Sequence, residues 1–301
     1  MPRFLSVCLN PTFQRTISLN RLDMGEVNRA SDARLDIAGK GVNTTRVLSQ
    51  LGAPVRHLTH LGPGKEILLD LCGRENLELI WAPTDSPIRT CITLLDDESR
   101  NTTEIVEPTE AVDESTVNTI RNLYEKELEI ADWVILSGSK APGYPPELFA
   151  EFCRMAVERG LKVIVDYRGE ELLVSLKNKI NMVKINLVEF VATFLPGTPV
   201  SEVDDSEAVD LACRKLQELS ADGCDYVITR GGREVLYSRN GTIGFIQPPP
   251  VTALNSIGSG DAFCAGLSYK LANGASLEEA VQEGARCGAV NASLLKPGTI
   301  K

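Results

Sequence analysis

The chain has 301 residues, 43% hydrophobic and 24% charged, a balance typical of a soluble globular protein with one large α/β domain or one domain with an appendage. Its 31 basic and 41 acidic residues give a formal net charge of −10, which argues against non-specific binding to nucleic acid or anionic membrane and requires a locally positive site for any anionic substrate. The eight cysteines have no Cys-x-x-Cys spacing, so we expect buried reduced thiols. The chain has two histidines, His57 and His60, and we expect both to be structural. So few histidines argue against a histidine-based triad or metal site.

The first apolar run, Phe4–Leu9, ends at Asn10-Pro11 and predicts a buried strand. It is too short for a signal peptide or a membrane helix, so we expect a cytoplasmic protein. Apolar and polar residues alternate in four later segments, 13–19, 33–37, 90–94 and 102–106, which predicts strands with one wet face. We group these strands as one small antiparallel sheet, a lid formed by about residues 12–38 and 88–108 within a single domain of residues 1–301. One face of the lid would cover a ligand or another subunit.

Between the two lid segments the pattern predicts a helix over 44–51, a strand over 55–61, a helix over 64–74 and a strand over 79–81. From residue 112 onward helices and strands alternate, with helices predicted over 113–129, 146–159, 170–177 and 205–220 and strands over 133–136, 162–166, 182–185 and 226–229. Two short strands, 235–238 and 242–246, and two helices, 259–271 and 277–294, follow. This rhythm predicts an α/β fold of three layers, a mostly parallel sheet with helices on both faces. Ligands of such folds bind at the carboxyl ends of the strands.

A glycine-rich stretch near residue 260 is the strongest functional signal. Gly258, Ser259 and Gly260 precede Asp261 and an apolar run, as in a loop that feeds a buried helix. Small residues let a loop backbone approach a ligand, and the first amides of a helix attract an anion. A carboxylate beside an anion site indicates proton transfer, so Asp261 is the candidate base of a phosphoryl transfer. The alternative is an ordinary loop in which Asp261 caps its helix.

A second glycine-rich loop, Gly39-Lys40-Gly41-x-Asn43, opens the helix predicted from residue 44. It offers close backbone approach, a positive charge and an amide, which suits a polyol or its phosphate. Its spacing is neither that of a Walker loop nor that of a dinucleotide fingerprint, and the alternative is a plain turn-to-helix junction. Arg89 begins a lid strand and would hold a substrate phosphate as a fork, unless it is a solvated surface residue.

Two further patterns follow strands. Lys184-x-Asn186-x-x-Glu189 stands at a strand end and helix start. Its amide and carboxylate would hold a hydrated Mg²⁺ against phosphates, or would form a helix-capping interaction. Thr229-x-Gly231 follows the next strand and predicts a turn that contacts a nucleotide.

The order of these motifs resembles that of the ribokinase-like, or PfkB-type, carbohydrate kinases over almost the whole chain. One branch of that family phosphorylates sugar phosphates and contains 1-phosphofructokinase and tagatose-6-phosphate kinase. Three segments of this chain are similar to that branch: Leu9-Asn10-Pro11, the run from Gly25 to Ala30, and Ser137-Gly138-Ser139. The Gly39 loop, with Arg46 three residues after Asn43, is similar to the same branch. The resemblance implies an ATP-dependent kinase of a phosphorylated ketohexose that uses Mg²⁺ and forms a homodimer through the lid.

The resemblance also assigns roles to individual residues. Asp261 would take the proton of a sugar hydroxyl, and the amides of Gly258, Ser259 and Gly260 would stabilise charge on the transferring group. The implied sugar-phosphate contacts come from Gln14, Gly39, Lys40, Asn43, Arg89 and Asp261. The implied ATP contacts come from Lys184, Asn186, Thr229, Gly231, Gly258, Gly260 and Asn291. Mg²⁺ would lie near Asn186 and Glu189, held through water.

Two positions depart from the family pattern. Gln14 stands where the family carries an aspartate that binds sugar hydroxyls, and Glu234 stands where a glycine ends the nucleotide turn. Two alternatives therefore stay open: a kinase of an unphosphorylated sugar or nucleoside, and a kinase-fold protein that binds ligands with little turnover.

Overall fold

A computed structural model of the chain describes residues 1–201 and 204–301. Its large sheet has nine strands in the order β13-β12-β11-β10-β9-β8-β1-β4-β5. The strands are β1 (Phe4–Val7), β4 (Val55–Leu61), β5 (Glu78–Pro83), β8 (Trp133–Ser137), β9 (Lys162–Asp166), β10 (Met182–Asn186), β11 (Asp225–Arg230), β12 (Arg233–Arg239) and β13 (Thr242–Ile246). The seven strands from β11 to β5 run parallel, and β12 and β13 add an antiparallel edge.

Helices cover both faces of this sheet. They are α1 (Lys40–Gln50), α2 (Lys65–Arg74), α3 (Glu114–Leu128), α4 (Leu148–Glu158), α5 (Glu170–Leu176), α6 (Leu187–Phe194), α7 (Ser206–Leu219), α8 (Ser259–Ala272) and α9 (Leu277–Ala292). One apolar cluster joins the sheet to α3–α7, and a second joins the opposite face to α1, α8 and α9. The predicted fold class, a mostly parallel sheet between two helical layers, is confirmed.

The strand residues alternate between these two clusters. In β8, Val134 and Leu136 pack with α3–α7, whereas Ile135 packs with α1, α8 and α9. Both faces of a central parallel strand are buried, so the strand reads as an unbroken apolar run instead of a polar–apolar alternation. The sequence signal of β8 and β9 was of this kind, and their bounds agree with it.

The lid is a separate sheet of four strands, in the order β3-β2-β6-β7. Its strands are β2 (Thr12–Leu19), β3 (Asp32–Ala38), β6 (Arg89–Asp96) and β7 (Thr102–Val106). The prediction of an antiparallel sheet is wrong for its central pair, because β2 and β6 run parallel. The reason lies in the connections: β2 follows β1 and β6 follows β5 after short loops, and β1 and β5 have the same direction in the large sheet. Both lid strands therefore leave the same edge in the same direction.

The histidines and cysteines have the structural roles that the sequence predicted. His57 and His60 are buried, and the Nδ1 atom of His60 lies 2.9 Å from the Tyr144 hydroxyl. All eight cysteines are free, and seven of them are buried. No helix in the described part of the chain combines the length and the apolar character that crossing a membrane requires.

Candidate active site

Two helix starts meet at the carboxyl edge of the large sheet. Gly39 is the N-cap of α1 with φ 104°, and Gly258 is the N-cap of α8 with φ 79°. Such positive φ values favour glycine, which explains the residue type at both caps. A Cβ atom at Gly258 would lie 2.5 Å from the Gly298 amide nitrogen and 3.3 Å from the Asn43 side-chain nitrogen. The two loops are thus packed against each other, together with a segment near residue 298.

A polar cavity of about 480 Å³ lies beneath the lid and between these loops. Most of the residues that the sequence assigned to a site line it: Gln14, Gly39, Lys40, Asn43, Arg89, Lys184, Asn186, Glu189, Thr229, Gly258, Gly260 and Asp261. They come from the lid, both glycine loops and the ends of β10 and β11. A constellation that sequence reasoning assembled from distant segments is therefore contiguous in space.

An apolar cavity of about 520 Å³ adjoins the polar cavity. The two share Asn186, Thr229, Ser256 and Gly260 on their linings. The apolar cavity is bounded by α8 and α9, by the turn at Gly231 and by the run of three prolines at 248–250. A long ligand with a polar and an apolar end could lie across both cavities.

Asp261 projects into the polar cavity with only 7% of its surface exposed. Its Oδ2 atom accepts a hydrogen bond from Asn43 Nδ2 at 2.7 Å. Burial, with a contribution from Asp166, raises the pKa of the Asp261 carboxyl from 3.8 to about 6, against the lowering effects of Lys40, Asn43 and Lys184. A pKa in this range suits a group that accepts a proton near neutral pH.

Asp166 is a site residue that the sequence analysis missed. It lies fully buried at the end of β9, where Oδ1 is 2.8 Å from Lys40 Nζ and Oδ2 is 2.8 Å from Lys184 Nζ. Burial would raise the pKa of Asp166, but Lys184 and Lys40 together hold it below its ordinary value. A polar residue at the carboxyl end of a parallel strand was the available signal, but the apolar pattern by itself predicts only a strand over 162–166.

The predicted phosphate contact of Lys40 meets a competing arrangement. Lys40 Nζ lies within ion-pair distance of both Asp166 and Glu189, the latter at 3.1 Å. Although burial lowers the pKa of Lys40, these carboxylates raise it above its ordinary value, so the side chain stays protonated. Because its charge is already balanced by two acids, a direct contact between Lys40 and a phosphate stays a prediction.

Arg89 differs from Lys40 in having no such partner. Its guanidinium has no hydrogen bond or ion pair with any residue that the structure describes, and its Nε atom is buried without an acceptor. The side chain lines the same polar cavity as Asp261. Arg89 thus supplies an unpaired positive charge to the cavity that contains the candidate base, as an anionic substrate group would require.

The loop before α8 offers two free amides, not three. Among the described residues, the amides of Gly258 and Gly260 have no protein acceptor, but the Ser259 amide donates to the Ser256 carbonyl oxygen at 3.2 Å. A tight turn thus uses the Ser259 amide, and its predicted contact with the transferring group would require this bond to change. The Ser259 hydroxyl instead accepts a hydrogen bond from Asn291 Nδ2 at 3.0 Å.

Asn291 lies beneath this loop and not on either cavity. It is fully buried; Nδ2 also donates to the Ile257 carbonyl oxygen at 2.9 Å, and Oδ1 accepts from the Thr299 amide at 3.0 Å. Since its polar atoms are bound to the protein, Asn291 supports the loop, and its predicted ATP contact would require these bonds to change.

Asn186 and Glu189 form a capping box at the start of α6. The helix-capping interaction was one of the two alternatives that their spacing predicted. Asn186 Oδ1 accepts from the Glu189 amide at 2.8 Å, and Glu189 Oε2 accepts from the Asn186 amide at 3.0 Å. Within residues 1–201 and 204–301, no group of three or more His, Cys, Asp or Glu could hold a metal. The side-chain oxygens of Asn186 and Glu189 already have protein partners, because Glu189 Oε1 also pairs with Lys40 at 3.1 Å. The contact with a hydrated Mg²⁺, which would be held through water, therefore stays a prediction.

The two departures from the family pattern have clear environments. Gln14 is 2% exposed, and its Nε2 atom donates to Thr93 Oγ1 at 2.7 Å and to the Cys91 carbonyl oxygen at 3.2 Å. Its amide therefore ties the lid strands β2 and β6 together while the side chain lines the polar cavity. Glu234 is exposed and lines neither cavity, so its charge does not face the loop amides. Thr229 and Gly231 line the apolar cavity, and their predicted nucleotide contact stays a prediction.

Glu104 is a second cavity residue that sequence reasoning missed. It lies on β7 of the lid and lines the polar cavity without a hydrogen-bond partner among the described residues. Although Glu104 is exposed, its partial burial beside the cavity raises the pKa of its carboxyl. The alternation of β7 predicted the strand but did not indicate which of its faces meets the ligand.

Known proteins share this fold. A family model described as pfkB family carbohydrate kinase matches residues 9–300. A point mutant of phosphofructokinase-2 from Escherichia coli superposes with a TM-score of 0.83 and 26% identity, over 97% of this chain and 94% of that one. The same enzyme in complex with fructose-6-phosphate gives a TM-score of 0.83 and 24% identity, over 96% and 93% of the two chains. A possible 1-phosphofructokinase from Thermotoga maritima gives 0.86 and 23%, over 98% and 93%.

Proposed function

The chain belongs to the pfkB family of carbohydrate kinases, and we propose that its substrate is a phosphorylated ketohexose of the fructose 1-phosphate or tagatose 6-phosphate type. The enzyme would transfer the γ-phosphoryl group of ATP to a hydroxyl of that sugar. Its similarity to phosphofructokinase-2 at 26% identity over most of both chains supports a phosphosugar substrate. Turnover measured on each sugar phosphate separately would distinguish the two sugar types.

One observation carries the phosphosugar proposal: the unpaired guanidinium of Arg89. Its buried Nε atom has no acceptor in the described residues, and the side chain shares a cavity with Asp261. A buried donor without an acceptor is costly, so a cation in this state suits a site completed by an anionic ligand. The existing phosphate of the sugar would bind there, with a hydroxyl turned toward Asp261.

The proposed reaction uses groups that are already in position. Asp261 takes the proton of the sugar hydroxyl while the oxygen attacks the γ-phosphorus of ATP, and the bond from that phosphorus to the bridging oxygen of the departing ADP breaks. The free amides of Gly258 and Gly260 donate to the transferring group. Gly39 and Asn43 line the same cavity and would contact sugar hydroxyls, Asn43 in addition to its bonds with Asp261 and Arg46. Positioning and charge stabilisation of this kind supply most of the catalysis in phosphoryl transfer.

ATP would lie across the two cavities. Its base would occupy the apolar cavity beside Thr229 and Gly231, and its phosphates would extend past Asn186 and Lys184 to the Gly258 loop. Asn186 and Glu189 would hold a hydrated Mg²⁺, which when bound offsets phosphate charge. Lys184 is buried with its pKa held up by Asp166 despite burial, so it would bring a permanent charge to this region.

We also propose that the protein is a homodimer joined through the lid and that it works in the cytoplasm. β7 is exposed along its whole length, including the apolar side chains of Ile105 and Val106. An exposed apolar sheet edge is normally covered by another element or chain. Eight free cysteines suit a reducing compartment.

The test is ADP release with Mg-ATP and a panel of fructose 1-phosphate, fructose 6-phosphate, tagatose 6-phosphate, fructose and ribose. We expect turnover on one phosphorylated ketohexose. Arg89→Ala should lower kcat/KM for that sugar by about 10- to 100-fold, as expected for loss of a charge-assisted hydrogen bond. The same substitution should leave any weak activity on the dephosphorylated sugar unchanged.

A matched control is Arg154→Ala, which removes an exposed arginine of α4 that pairs with Glu158 away from the site. Its kinetics should equal those of the wild type. Preference of the wild type for an unphosphorylated sugar or a nucleoside would favour that alternative. ATP binding without turnover on any acceptor would favour the non-catalytic reading.

A further inference from the structure

Arg46 is the largest fully buried side chain that neither cavity contains, and only 1% of it is exposed. It lies on α1 one turn after Asn43. Its guanidinium reaches three other segments. Nη1 donates to the carbonyl oxygens of Pro297 at 3.1 Å and Gly298 at 3.4 Å, Nη2 donates to that of Ile37 at 2.8 Å, and Nε pairs with Glu75.

The contact that bears on chemistry is the one with Asn43. Arg46 Nη1 donates to Asn43 Oδ1 at 3.1 Å, and Asn43 Nδ2 donates to Asp261 Oδ2 at 2.7 Å. A guanidinium carries donors only, whereas an asparagine amide has a donor end and an acceptor end that can exchange places by rotation. A donor-only partner on one side therefore decides which end faces the other side.

Packing strengthens this constraint. A Cβ atom at Gly298 would lie 2.4 Å from the Cβ, Cγ and Oδ1 atoms of Asn43. The backbone of Gly298 thus rests directly on the amide of Asn43, and Arg46 holds that backbone through the carbonyl oxygens at 297 and 298. The side chain of Asn43 is fixed from two directions by the same guanidinium.

We infer that Arg46 is a positioning residue, which orients the Asn43 amide so that its NH₂ group, and not its oxygen, faces the Asp261 carboxylate. The inference rests on the proposed function in that it takes Asp261 as the base. With the amide reversed, an oxygen would face the carboxylate and favour its protonated form. Arg46 would then control the ionisation of the base without touching a substrate.

The variants test orientation separately from charge. Arg46→Met removes both the fork and the charge, whereas Arg46→Lys keeps a cation beside Glu75 but loses the planar fork that serves several acceptors at once. The other charged or titratable groups around Asp261 are unchanged in both variants: Lys40 of α1, Asp166 of β9, Lys184 of β10, Cys8 of β1, Cys264 of α8 itself, and Arg89 of β6 and Glu104 of β7 on the same cavity. Arg56→Met is the matched control, since Arg56 pairs with Glu127 and Glu78 near the amino ends of the strands.

The measurement is the pH dependence of kcat for the wild type and each variant, with the preferred sugar from the panel. We expect the acidic limb to move to higher pH by about one unit in Arg46→Met and Arg46→Lys, because the Asp261 carboxylate loses a hydrogen bond. The deficit in kcat should therefore shrink as the pH rises. In an Asn43→Ala background, Arg46→Lys should move the limb no further.

Each other outcome contradicts the inference. If the acidic limb of the kcat profile stays in place in folded, active Arg46→Lys, Arg46 is only structural. If Arg46→Lys moves that limb equally in the Asn43→Ala background, Arg46 acts by a route other than Asn43. Should Arg46→Met fail to fold, Arg46→Lys decides alone. Absence of turnover in the wild type would count against the proposed function instead. In that case ¹³C NMR titration of the Asp261 carboxyl in wild type and Arg46→Lys decides on the inference, since an equal pKa in both overturns it.

Discussion

Replacing Asp261 by Asn should make the protein more stable and almost inactive. The carboxylate is buried with 7% of its surface exposed, and burial raises its pKa from 3.8 to about 6. This difference of about two pH units corresponds to about 3 kcal/mol of unfolding free energy that the ionised carboxylate costs the folded state. An asparagine has nearly the same shape, can still accept from Asn43, and carries no charge to bury.

The pH dependence gives the sign of the effect. Because the pKa of Asp261 is higher in the folded chain, the folded state binds more protons than the unfolded state between about pH 4 and pH 6. The unfolding free energy of the wild type therefore falls as the pH rises through this window, relative to Asp261→Asn. The variant should be more stable by about 3 kcal/mol at pH 8 and equally stable near pH 4.

The assay is urea unfolding of ligand-free protein at several pH values, because bound ATP would stabilise the folded state by mass action. The kcat of Asp261→Asn should fall by about 10²- to 10⁴-fold, the usual contribution of a general base. Asp113→Asn is the control: the Asp113 side chain caps α3 by accepting from the Thr116 amide, which lowers its pKa. The pH trend of that variant should have the opposite sign. A stability difference for Asp261→Asn that is absent at pH 8, or constant from pH 4 to 8, would refute the reasoning.

Three further substitutions probe other parts of the site. Lys184→Met leaves Asp166 with one of its two cations. The unfolding free energy, measured by urea unfolding, should fall by about 3–5 kcal/mol. A loss below about 1 kcal/mol would contradict a buried ion pair. Gly258→Ala would place a Cβ atom 2.5 Å from the Gly298 amide nitrogen at a φ of +79°, so kcat should fall at least about tenfold, and near-normal kcat would show that the loop can move. Ala289→Phe should fill the apolar cavity and raise the KM for ATP about tenfold or more while the KM for the sugar is unchanged; a selective effect on the sugar would mean that the nucleotide binds elsewhere.

Local patterns predicted the parts of this site that depend on backbone conformation. A chain that turns into a helix close to a ligand needs glycine at a position of positive φ, as at Gly39 and Gly258. A few adjacent residues are enough to indicate such a turn. The parallel strands were found because an apolar run such as Val163–Val165 is long enough to cross a buried sheet. Both signals are contained within one element.

What escaped prediction depends on contacts between distant residues. Asp166 follows its strand like many other acids, and its role appears only when Lys40, 126 residues away, is brought beside it. Arg46 belongs to the motif that begins at Gly39, but its contact with the Pro297 carbonyl oxygen spans 251 residues. The parallel pairing of β2 and β6 likewise follows from the order of strands in the large sheet. No window of sequence contains that order.

The parallel central pair of the lid has a consequence for how the lid could move. β2 and β6 are joined to β1 and β5, which flank β4, so the two attachments lie two strands apart, about 10 Å. The chain also leaves the lid from Ala38, which pairs with Thr12, and from Val106, so all four attachments lie at the same end of the lid. A sheet held along one end can rotate about that end, but it cannot slide along the cavity. In such a rotation, the displacement of each residue is proportional to its distance from the axis.

Arg89, the first residue of β6, lies at the pivot and would hardly shift. Glu104 pairs with Thr93, four residues further along β6 and so about 13 Å from the pivot. A swing of the lid would therefore carry the acidic side chain toward and away from the cavity while the arginine stayed almost stationary. A phosphosugar could in this way remain anchored at one end while its hydroxyl groups are covered and released at the other.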